Sequence, residues 1–285
     1  MERMLITGAT GFIGGYVIEK ARESGFEVIA SSAHPEHART QPWFGAVEYI
    51  PFDLGQWDSA PDCFRLLGSP DRMLHLAWEG LPNYKNAFHL EENLPRQAAF
   101  LHNMVSHGLR HLTVTGTCLE YGMQEGCLTE TQAVQPANPY AQAKDMLRHK
   151  LEQWQEQFAF TLNWARLFYL YGKGQNPNSL FSQLDKALAN GEKVFNMSGG
   201  EQVRDYLPVE TAADNLLRIT GQDRVGGVIN CCSGIPVAVR KMVEDYLQRR
   251  GEHIALNLGY YPYPDYEPFR FWGDVSKLKT ILAHE

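Results

Sequence analysis

Residues 7–15, TGATGFIGG, decide the fold, because they place glycines at positions 8, 11 and 14 directly after the apolar run RMLIT at residues 3–7. A helical pattern, YVIEKARESG, follows at residues 16–25, and a second apolar run, FEVIAS, at residues 26–31. In such a strand–turn–helix unit the missing side chains let the backbone approach a pyrophosphate, and the helix N-terminus favours its negative charge. The stretch predicts a dinucleotide-binding β-α-β unit; a purely structural tight turn is the alternative.

The same alternation of short apolar runs and amphipathic segments continues along the chain. Such alternation predicts an α/β fold, a Rossmann doubly wound parallel sheet with helices on both faces. After residue 168 the pattern is interrupted by Gly, Pro, Asn and Tyr. We therefore predict a Rossmann domain over 1–168 and a smaller C-terminal substrate-binding lobe over 169–285, with a segment near 226–234 returning to the main sheet. The further apolar runs are VEYIPFDL (47–54), RMLHLAW (72–78), HLTVTGT (111–117), FTLNWARLFYLYG (160–172) and GGVINCCSG (226–234).

Composition excludes several classes of partner. The 285 residues carry a net charge of −7, so no basic stripe is expected to bind nucleic acid. No run of 18 apolar residues and no charged leader with an apolar segment stands in the sequence, so we expect no membrane partner and a cytoplasmic protein. The five cysteines lack CxxC spacing, which is typical of a reducing compartment and offers no metal site.

The end of the second apolar run bears on the choice of cofactor. An acidic residue about 20 positions after the glycines would bind the ribose of NAD, but Ser31 and Ser32 stand there. A carboxylate would repel the 2′-phosphate of NADP, and Arg39 lies a few residues downstream to pair with that phosphate. NADP(H) is therefore favoured, and NAD(H) stays possible if the serines only cap a loop.

Residues 136–147, PANPYAQAKDML, place Tyr140 one helical turn before Lys144. An ammonium beside a phenol stabilises the phenolate and would lower the pKa of the tyrosine, so that it moves protons near neutral pH. An ordinary amphipathic helix edge is the alternative. Thr115 and Thr117 end an earlier strand, at the edge of an open parallel sheet where ligands bind.

With the glycine loop, the hydroxyl-bearing strand and the YxxxK pair in this order, nearly the whole chain resembles the extended short-chain dehydrogenase/reductase family of NAD-dependent epimerases and dehydratases. The resemblance implies that Thr117, Tyr140 and Lys144 are catalytic, Tyr140 moving the proton and Lys144 bonding the nicotinamide ribose. It also matches Asp53 to an adenine-contacting position and Asn93 to a helical asparagine. The cofactor-binding residues so predicted are Gly8, Thr10, Gly11, Phe12, Ile13, Gly14, Ser31, Ser32, Arg39, Asp53, Leu54, Leu76, Ala77, Thr115, Tyr140, Lys144 and Phe168.

The resemblance also implies a nucleotide-sugar substrate. Arg204 in RDYLPV matches an arginine that holds the substrate diphosphate, with a plain surface salt bridge as the alternative. Asn178 and Ser179 are predicted near the nucleotide or diphosphate, or else as a simple helix cap. Trp78 stands where the family has a small residue after the alanine. The predicted substrate-binding residues are Trp78, Thr117, Asn178, Ser179 and Arg204.

Three reactions of the family use this framework. Its dehydratases carry Asp and Glu directly after the catalytic threonine, whereas this chain has Cys118 and Leu119, so dehydration is not expected. The sequence resembles bacterial NAD(P)H-dependent reductases of dTDP- or CDP-linked 4-keto-6-deoxy-hexoses, which serve deoxysugar biosynthesis for surface polysaccharides such as lipopolysaccharide. A nucleotide-sugar 4-epimerase is the alternative, and a catalytically inactive NADP-sensing protein a lesser one. The resemblance also implies a homodimer through helices beginning near Glu91 and Tyr140.

Overall fold

The computed structural model describes residues 1–57 and 61–283; residues 284 and 285 of the predicted second lobe lie outside them. The strands in chain order are β1 (Arg3–Thr7), β2 (Glu27–Ser32), β3 (Glu48–Pro51), β4 (Arg72–His75), β5 (His111–Thr117), β6 (Gly126–Leu128), β7 (Thr161–Leu167), β8 (Tyr169–Tyr171), β9 (Val194–Asn196), β10 (Val203–Pro208), β11 (Gly227–Cys231), β12 (Pro236–Ala238), β13 (Ala255–Asn257) and β14 (Phe271–Gly273).

Helices alternate with these strands. They are α1 (Gly14–Glu23), α2 (Pro35–Arg39), α3 (Cys63–Leu66), α4 (Leu94–Ser106), α5 (Pro139–Trp154), α6 (Leu180–Ala189), α7 (Val209–Thr220), α8 (Val239–Arg250) and α9 (Ser276–Leu282). A π-helical turn, His89–Asn93, leads directly into α4, and a 3₁₀ turn, Cys118–Tyr121, directly follows β5.

Within the described residues, seven parallel strands form the central sheet in the order β11-β7-β5-β4-β1-β2-β3. The order turns at β1, since β2 and β3 extend to one side and β4, β5, β7 and β11 to the other. Such a turn in strand order opens a crevice at the carboxyl ends of the strands. The predicted doubly wound parallel sheet is confirmed.

Alternating residues of β1 contribute to two separate cores, one on each face of the sheet. Met4 and Ile6 pack in the core built with α1, α7 and α9, whereas Leu5 packs in the core built with α4 and α5. Successive side chains of a strand point to opposite faces, so a strand covered on both sides reads as one continuous apolar run.

The chain after residue 168 contributes to both parts of the molecule. Strand β11 pairs with β7 in the central sheet, within the segment 226–234 that was predicted to return there. Helices α7 and α9 also pack on the sheet. The smaller lobe contains the sheet β12-β10-β8, the pair β13-β9 and helices α6 and α8, which share a core of their own.

No helix within residues 1–57 and 61–283 is both long and apolar enough to cross a membrane. In the same part of the chain, no group of three or more His, Cys, Asp or Glu side chains is arranged to hold a metal ion.

Candidate active site

The glycine loop joins β1 to α1 and lies against the end of β4. Gly8 has a φ of +67°, and a Cβ atom there would stand 2.9 Å from the Ala77 nitrogen. A Cβ on Gly14 would stand 2.5 Å from the Gly8 oxygen, so the start of α1 packs directly on the turn. Helix α1 begins without a side-chain cap, and the Gly14 N–H donates to the Gly11 carbonyl oxygen at 3.2 Å within the turn.

A cavity of about 220 Å³ opens beside this loop. Many of the predicted cofactor residues line it, namely Gly8, Thr10, Gly11, Ser31, Ser32, Leu54, Leu76 and Ala77. A glycine turn next to a partly apolar cleft fits the pyrophosphate and adenosine of a nicotinamide dinucleotide. The other lining residues are Thr7, Ala33, His34, Phe52, Gly55, Trp78, Glu79, Asn93, Arg96, Gln97 and Phe100.

Several predicted cofactor residues lie outside the lining of this cavity. The Asp53 carboxylate accepts hydrogen bonds from the Gly55 backbone and the Gln56 side chain, each at 2.8 Å, and so shapes the loop after β3. Arg39 is exposed at the end of α2. Phe168 is buried in a small cluster with residues that include Phe271.

Phe12, Ile13 and Thr115 are also absent from the lining of the cavity. Phe12 packs edge-on against Tyr16, and Ile13 packs against the core on the α1 face of the sheet. The Thr115 hydroxyl donates to the His75 carbonyl oxygen at 3.3 Å, between two neighbouring strands.

Thr117, the last residue of β5, also begins the 3₁₀ turn. Its Oγ1 accepts the Leu119 N–H at 3.2 Å, and its backbone N–H donates to Glu120 Oε1 at 2.8 Å. The Glu120 carboxylate also accepts from Trp164 Nε1 at 3.0 Å and from Arg166 Nε at 2.6 Å, and all of these groups are buried. This reciprocal capping and the ion pair beneath it hold the Thr117 hydroxyl at the edge of the sheet.

Tyr140 is the second residue of α5, which Asn138 caps by accepting the Ala141 N–H at 2.9 Å. Its ring lies against Trp78, Tyr84 and His89, with centroid distances of 5.8, 5.5 and 5.3 Å. Burial strongly raises the pKa of the Tyr140 phenol, and nearby Tyr84, Glu120 and Cys118 raise it further, while a hydrogen bond with the Thr117 side chain lowers it. The structure thus brings Thr117 and Tyr140 together.

The Lys144 ammonium lies one turn along α5. Its Nζ donates to the Thr115 carbonyl oxygen at 2.8 Å and lies 3.9 Å from the centroid of the Trp78 ring. Burial lowers the pKa of Lys144 to about 7, and the Glu120 carboxylate opposes this shift. The spacing predicted that Lys144 lowers the pKa of Tyr140, but burial dominates here and that pKa is raised.

A larger cleft of about 730 Å³ lies in the second lobe. Arg204 and Asn178 line it, and Ser179 is the N-cap residue of α6, although its buried hydroxyl has no hydrogen-bond partner among residues 1–57 and 61–283. The lining residues are Tyr169, Asn178, Leu180, Gln183, Phe195, Asn196, Met197, Ser198, Gln202, Arg204, Tyr206, Val239, Tyr261, Pro262, Tyr263, Pro264, Asp265, Tyr266 and Glu267.

Arg204 is buried in this cleft and is already engaged. Its Nη2 donates to Glu267 Oε1 at 2.8 Å, and its Nη1 donates to the Val203 and Phe269 carbonyl oxygens. The Tyr169 hydroxyl also donates to the Glu267 carboxylate. Burial raises the pKa of the Glu267 carboxyl to about 7, while these two donors favour its charged form.

Sequence reasoning did not single out His89, Tyr84 or Glu267. None of the three belongs to a motif with a recognisable spacing. Tyr84 and His89 precede α4, and Glu267 lies in the aromatic segment LGYYPYPDYEP. The three residues reach the site only through the packing of these loops on α5 and β10.

Comparison with known proteins gives a family match that covers most of the chain. The sequence profile of the "NAD dependent epimerase/dehydratase family" matches residues 4–232. The "dTDP-6-deoxy-L-talose 4-dehydrogenase (NAD(+))" of Aggregatibacter actinomycetemcomitans is 28% identical over 278 residues, covering 95% of this chain and 98% of that protein. The "GDP-6-deoxy-D-talose 4-dehydrogenase" of the same organism is 28% identical over 296 residues, covering 99% and 92%.

An epimerase is also among the similar proteins. The "UDP-glucose 4-epimerase" of Halalkalibacterium halodurans is 25% identical over 313 residues, covering 99% of this chain and 90% of that protein. Among solved structures, MoeE5 in complex with UDP-glucuronic acid and NAD is 25% identical, with a TM-score of 0.81 and coverage of 99% and 92%. A UDP-N-acetylglucosamine 4-epimerase from Methanobrevibacter ruminantium M1, 20% identical with a TM-score of 0.85 and coverage of 98% and 91%, shows the fold alone.

Proposed function

Because this chain belongs to the NAD dependent epimerase/dehydratase family, we propose that it reduces the C4 ketone of a nucleotide-linked 4-keto-6-deoxy-hexose with NAD(P)H. The family consists of enzymes that act on nucleotide sugars, and the earlier resemblance to it is confirmed. The proposed reaction is that of a dTDP-4-dehydro-6-deoxyglucose reductase or a CDP-linked counterpart.

The observation that carries the proposal is the contact between Thr117 and Tyr140 beside the dinucleotide cavity. The Thr117 side chain is near enough to Tyr140 to lower the pKa of its phenol, and Trp78, which lines the cavity, packs on the Tyr140 ring. Two hydroxyls at the carboxyl edge of the sheet bind and protonate a carbonyl oxygen. This arrangement is what reduction of a sugar ketone requires from the protein.

In the proposed reaction the nicotinamide cofactor supplies the hydride when it is bound. The Tyr140 hydroxyl delivers a proton to the oxygen on the sugar C4 as negative charge develops there. The Thr117 hydroxyl donates a hydrogen bond to the same oxygen and keeps it in place. Because burial raises the pKa of Tyr140, the phenol holds its proton until the alkoxide, a much stronger base, forms.

Dehydration is not part of the proposal. Burial strongly raises the pKa of the Cys118 thiol, and Leu119 has no titratable group, so the two positions after Thr117 offer no acid or base. The buried Glu120 carboxylate is occupied by Thr117, Trp164 and Arg166.

The direction of hydride transfer separates two candidate functions. Two similar proteins are named as 4-dehydrogenases of 6-deoxy sugars, and oxidation at C4 is the reverse of the proposed reduction. A 4-epimerase, which oxidises and re-reduces one carbon, needs the same three catalytic residues and is supported by another similar protein. The inactive NADP-sensing alternative gains no support from an intact set of Thr117, Tyr140 and Lys144.

The cofactor is proposed as NADP(H) or NAD(H), with the serines at the end of β2 permitting the phosphate. Ser31 and Ser32 line the cavity, but exposed Arg39 does not, so the predicted partner of the 2′-phosphate is not in place. The name of one relative and the contents of one similar solved structure both include NAD. Rates with NADPH and NADH, compared as kcat/KM, decide between them.

The test of the reaction is its stoichiometry. We expect purified protein to consume one NAD(P)H for each dTDP- or CDP-linked 4-keto-6-deoxy-hexose, with the absorbance of the reduced nicotinamide disappearing as a 4-hydroxy sugar forms. Conversion of a UDP-hexose to its C4 epimer without added cofactor would instead establish the epimerase. Absence of both reactions across the panel would contradict the proposal.

A further inference from the structure

Trp78 connects the dinucleotide cavity to the catalytic pair. The indole lines the cavity, packs edge-on against Tyr140 with centroids 5.8 Å apart, and presents its ring to Lys144 Nζ at 3.9 Å. The resemblance gave this position a small side chain in the family and assigned Trp78 to the substrate. The Trp78 ring instead contacts Tyr140 and Lys144, the two residues of the YxxxK pair.

His89 fixes the orientation of this indole. Trp78 Nε1–H donates to His89 Nδ1 at 3.2 Å, and the planes of the two rings are inclined by 23°. The other ring nitrogen, Nε2, lies 3.1 Å from the Asn83 carbonyl oxygen and therefore carries the proton. Burial and the Lys144 charge lower the pKa of His89, so the ring is neutral and this tautomer is the one that fits both bonds.

Resting on the proposed function for the role of Lys144, we propose that Trp78 and His89 are positioning residues that hold the Lys144 ammonium between the indole face and the Thr115 carbonyl oxygen. An ammonium has three N–H donors. One N–H of Lys144 donates to the Thr115 carbonyl oxygen at 2.8 Å, and a second faces the indole ring. These two contacts fix the direction of the third N–H, which is left to bond a ligand.

The charges around Lys144 are consistent with an aromatic rather than an ionic partner. Glu120 raises the pKa of Lys144 but bonds Arg166 and Trp164, not the ammonium. The neighbouring titratable rings, His75 and His89, are both held neutral by burial, with Lys144 lowering the pKa of each. The indole therefore stabilises the cation but, unlike a carboxylate, does not neutralise its charge.

The test reads Lys144 directly, without any substrate. In protein labelled with [ε-¹³C]lysine, the Lys144 resonance, assigned by its loss in Lys144→Arg, is followed against pH by NMR. Trp78→Leu keeps an apolar side chain but removes the ring face, and we expect the pKa of Lys144 to fall by roughly one unit. Trp78→Phe, with a weaker ring face, should give a smaller fall. His89→Phe, which keeps an aromatic ring but removes the acceptor of the indole N–H and the bond to the Asn83 carbonyl oxygen, should also give a smaller fall.

Trp57→Leu is the matched control, because this indole packs on Phe52 and Phe100 in the same core as Trp78, whereas the ring that faces Lys144 Nζ is that of Trp78. An unchanged Lys144 titration in Trp78→Leu and Trp78→Phe would overturn the proposal. Normal titration shifts in a protein that reduces none of the sugars would instead contradict the proposed function while leaving the positioning role in place.

Discussion

Two buried cations, Lys144 beside the dinucleotide cavity and Arg204 in the second-lobe cleft, have similar surroundings that differ by one carboxylate. Each is 2% exposed, donates to a backbone carbonyl oxygen and faces an aromatic ring, Trp78 at 3.9 Å from Lys144 and Phe271 at 4.7 Å from Arg204. Burial lowers the pKa of both. Only Arg204 also has a bonded carboxylate, that of Glu267.

This difference separates a cation that keeps a donor for a ligand from one that is neutralised within the protein. Lys144 is ready to bond a hydroxyl, because its contacts are uncharged. Arg204 must exchange Glu267 for a diphosphate before it can bind one, since a second anion beside the carboxylate would be repelled. The proposed binding of a diphosphate by Arg204 therefore requires a rearrangement that the proposed role of Lys144 does not.

The largest effect on catalysis is expected when the tyrosine hydroxyl near each cation is removed, that of Tyr140 near Lys144 and that of Tyr169 near Arg204. Tyr140→Phe removes the proton donor and should lower kcat by about 10²–10⁴-fold, with cofactor binding retained. Tyr169→Phe removes a hydroxyl that bonds Glu267 and should act mainly on the KM of the sugar nucleotide. Steady-state kinetics of both variants check this; a Tyr140→Phe enzyme with a near-normal rate would exclude the proposed proton donor.

An intermediate effect is expected when the Glu267 carboxylate, which bonds Arg204, is replaced by a neutral amide. Glu267→Gln weakens the bond to Arg204 and should lower the free energy of unfolding by about 2 kcal/mol in the absence of ligand. A dTDP- or UDP-linked sugar should then stabilise this variant more than the wild type in thermal unfolding, because the diphosphate no longer displaces an anion.

Glu201→Gln is the control, since Glu201 is an exposed carboxylate that accepts from the Tyr263 hydroxyl at the rim of the same cleft. It should change neither quantity appreciably. Weaker sugar-nucleotide binding by Glu267→Gln would show that the carboxylate helps to bind the substrate, contrary to the comparison of the two cations.

The smallest effect per pH unit is a dependence of stability on pH that, of the two cations, Lys144 should show and Arg204 should not. Its pKa is about 7 in the folded protein against 10.5 for an ordinary lysine, so between these values the unfolded chain binds a proton that the folded protein does not. Stability relative to Lys144→Met should therefore rise with pH from 7 toward 10, by about 1 kcal/mol per pH unit.

Arg204→Met supplies the contrast, because an arginine stays protonated throughout this range and contributes no slope of its own. Denaturant unfolding at several pH values measures both differences. Parallel curves for wild type and Lys144→Met would contradict the lowered lysine pKa.

Local sequence patterns were sufficient for the framework of the site. The glycine intervals predicted the turn between β1 and α1, and the alternation of short apolar runs with amphipathic segments predicted a parallel sheet covered on both faces; that sheet is confirmed. Tyr140 and Lys144 could be paired because one helical turn separates them. Thr117 could be placed opposite them because parallel strands end at the same edge.

Other parts of the site depend on contacts between segments far apart in the sequence. The sequence identified Arg204 as a cation but not its partner, because Glu267 lies 63 residues away and reaches it only when the aromatic segment crosses the cleft. Spacing gave the proximity of Lys144 to Tyr140 but not the burial that raises the Tyr140 pKa.

The sequence by itself thus determined the parallel sheet, the glycine turn and the candidate catalytic side chains, because these depend on short apolar runs, on motif spacings of a few residues and on the family resemblance that the motifs carry. The tertiary structure alone decided which groups surround them: Trp78 and His89 at Lys144, and Glu267 at Arg204. The physical reason is that pKa values and ion pairs depend on burial and on distances of a few ångströms between segments, which no local spacing fixes.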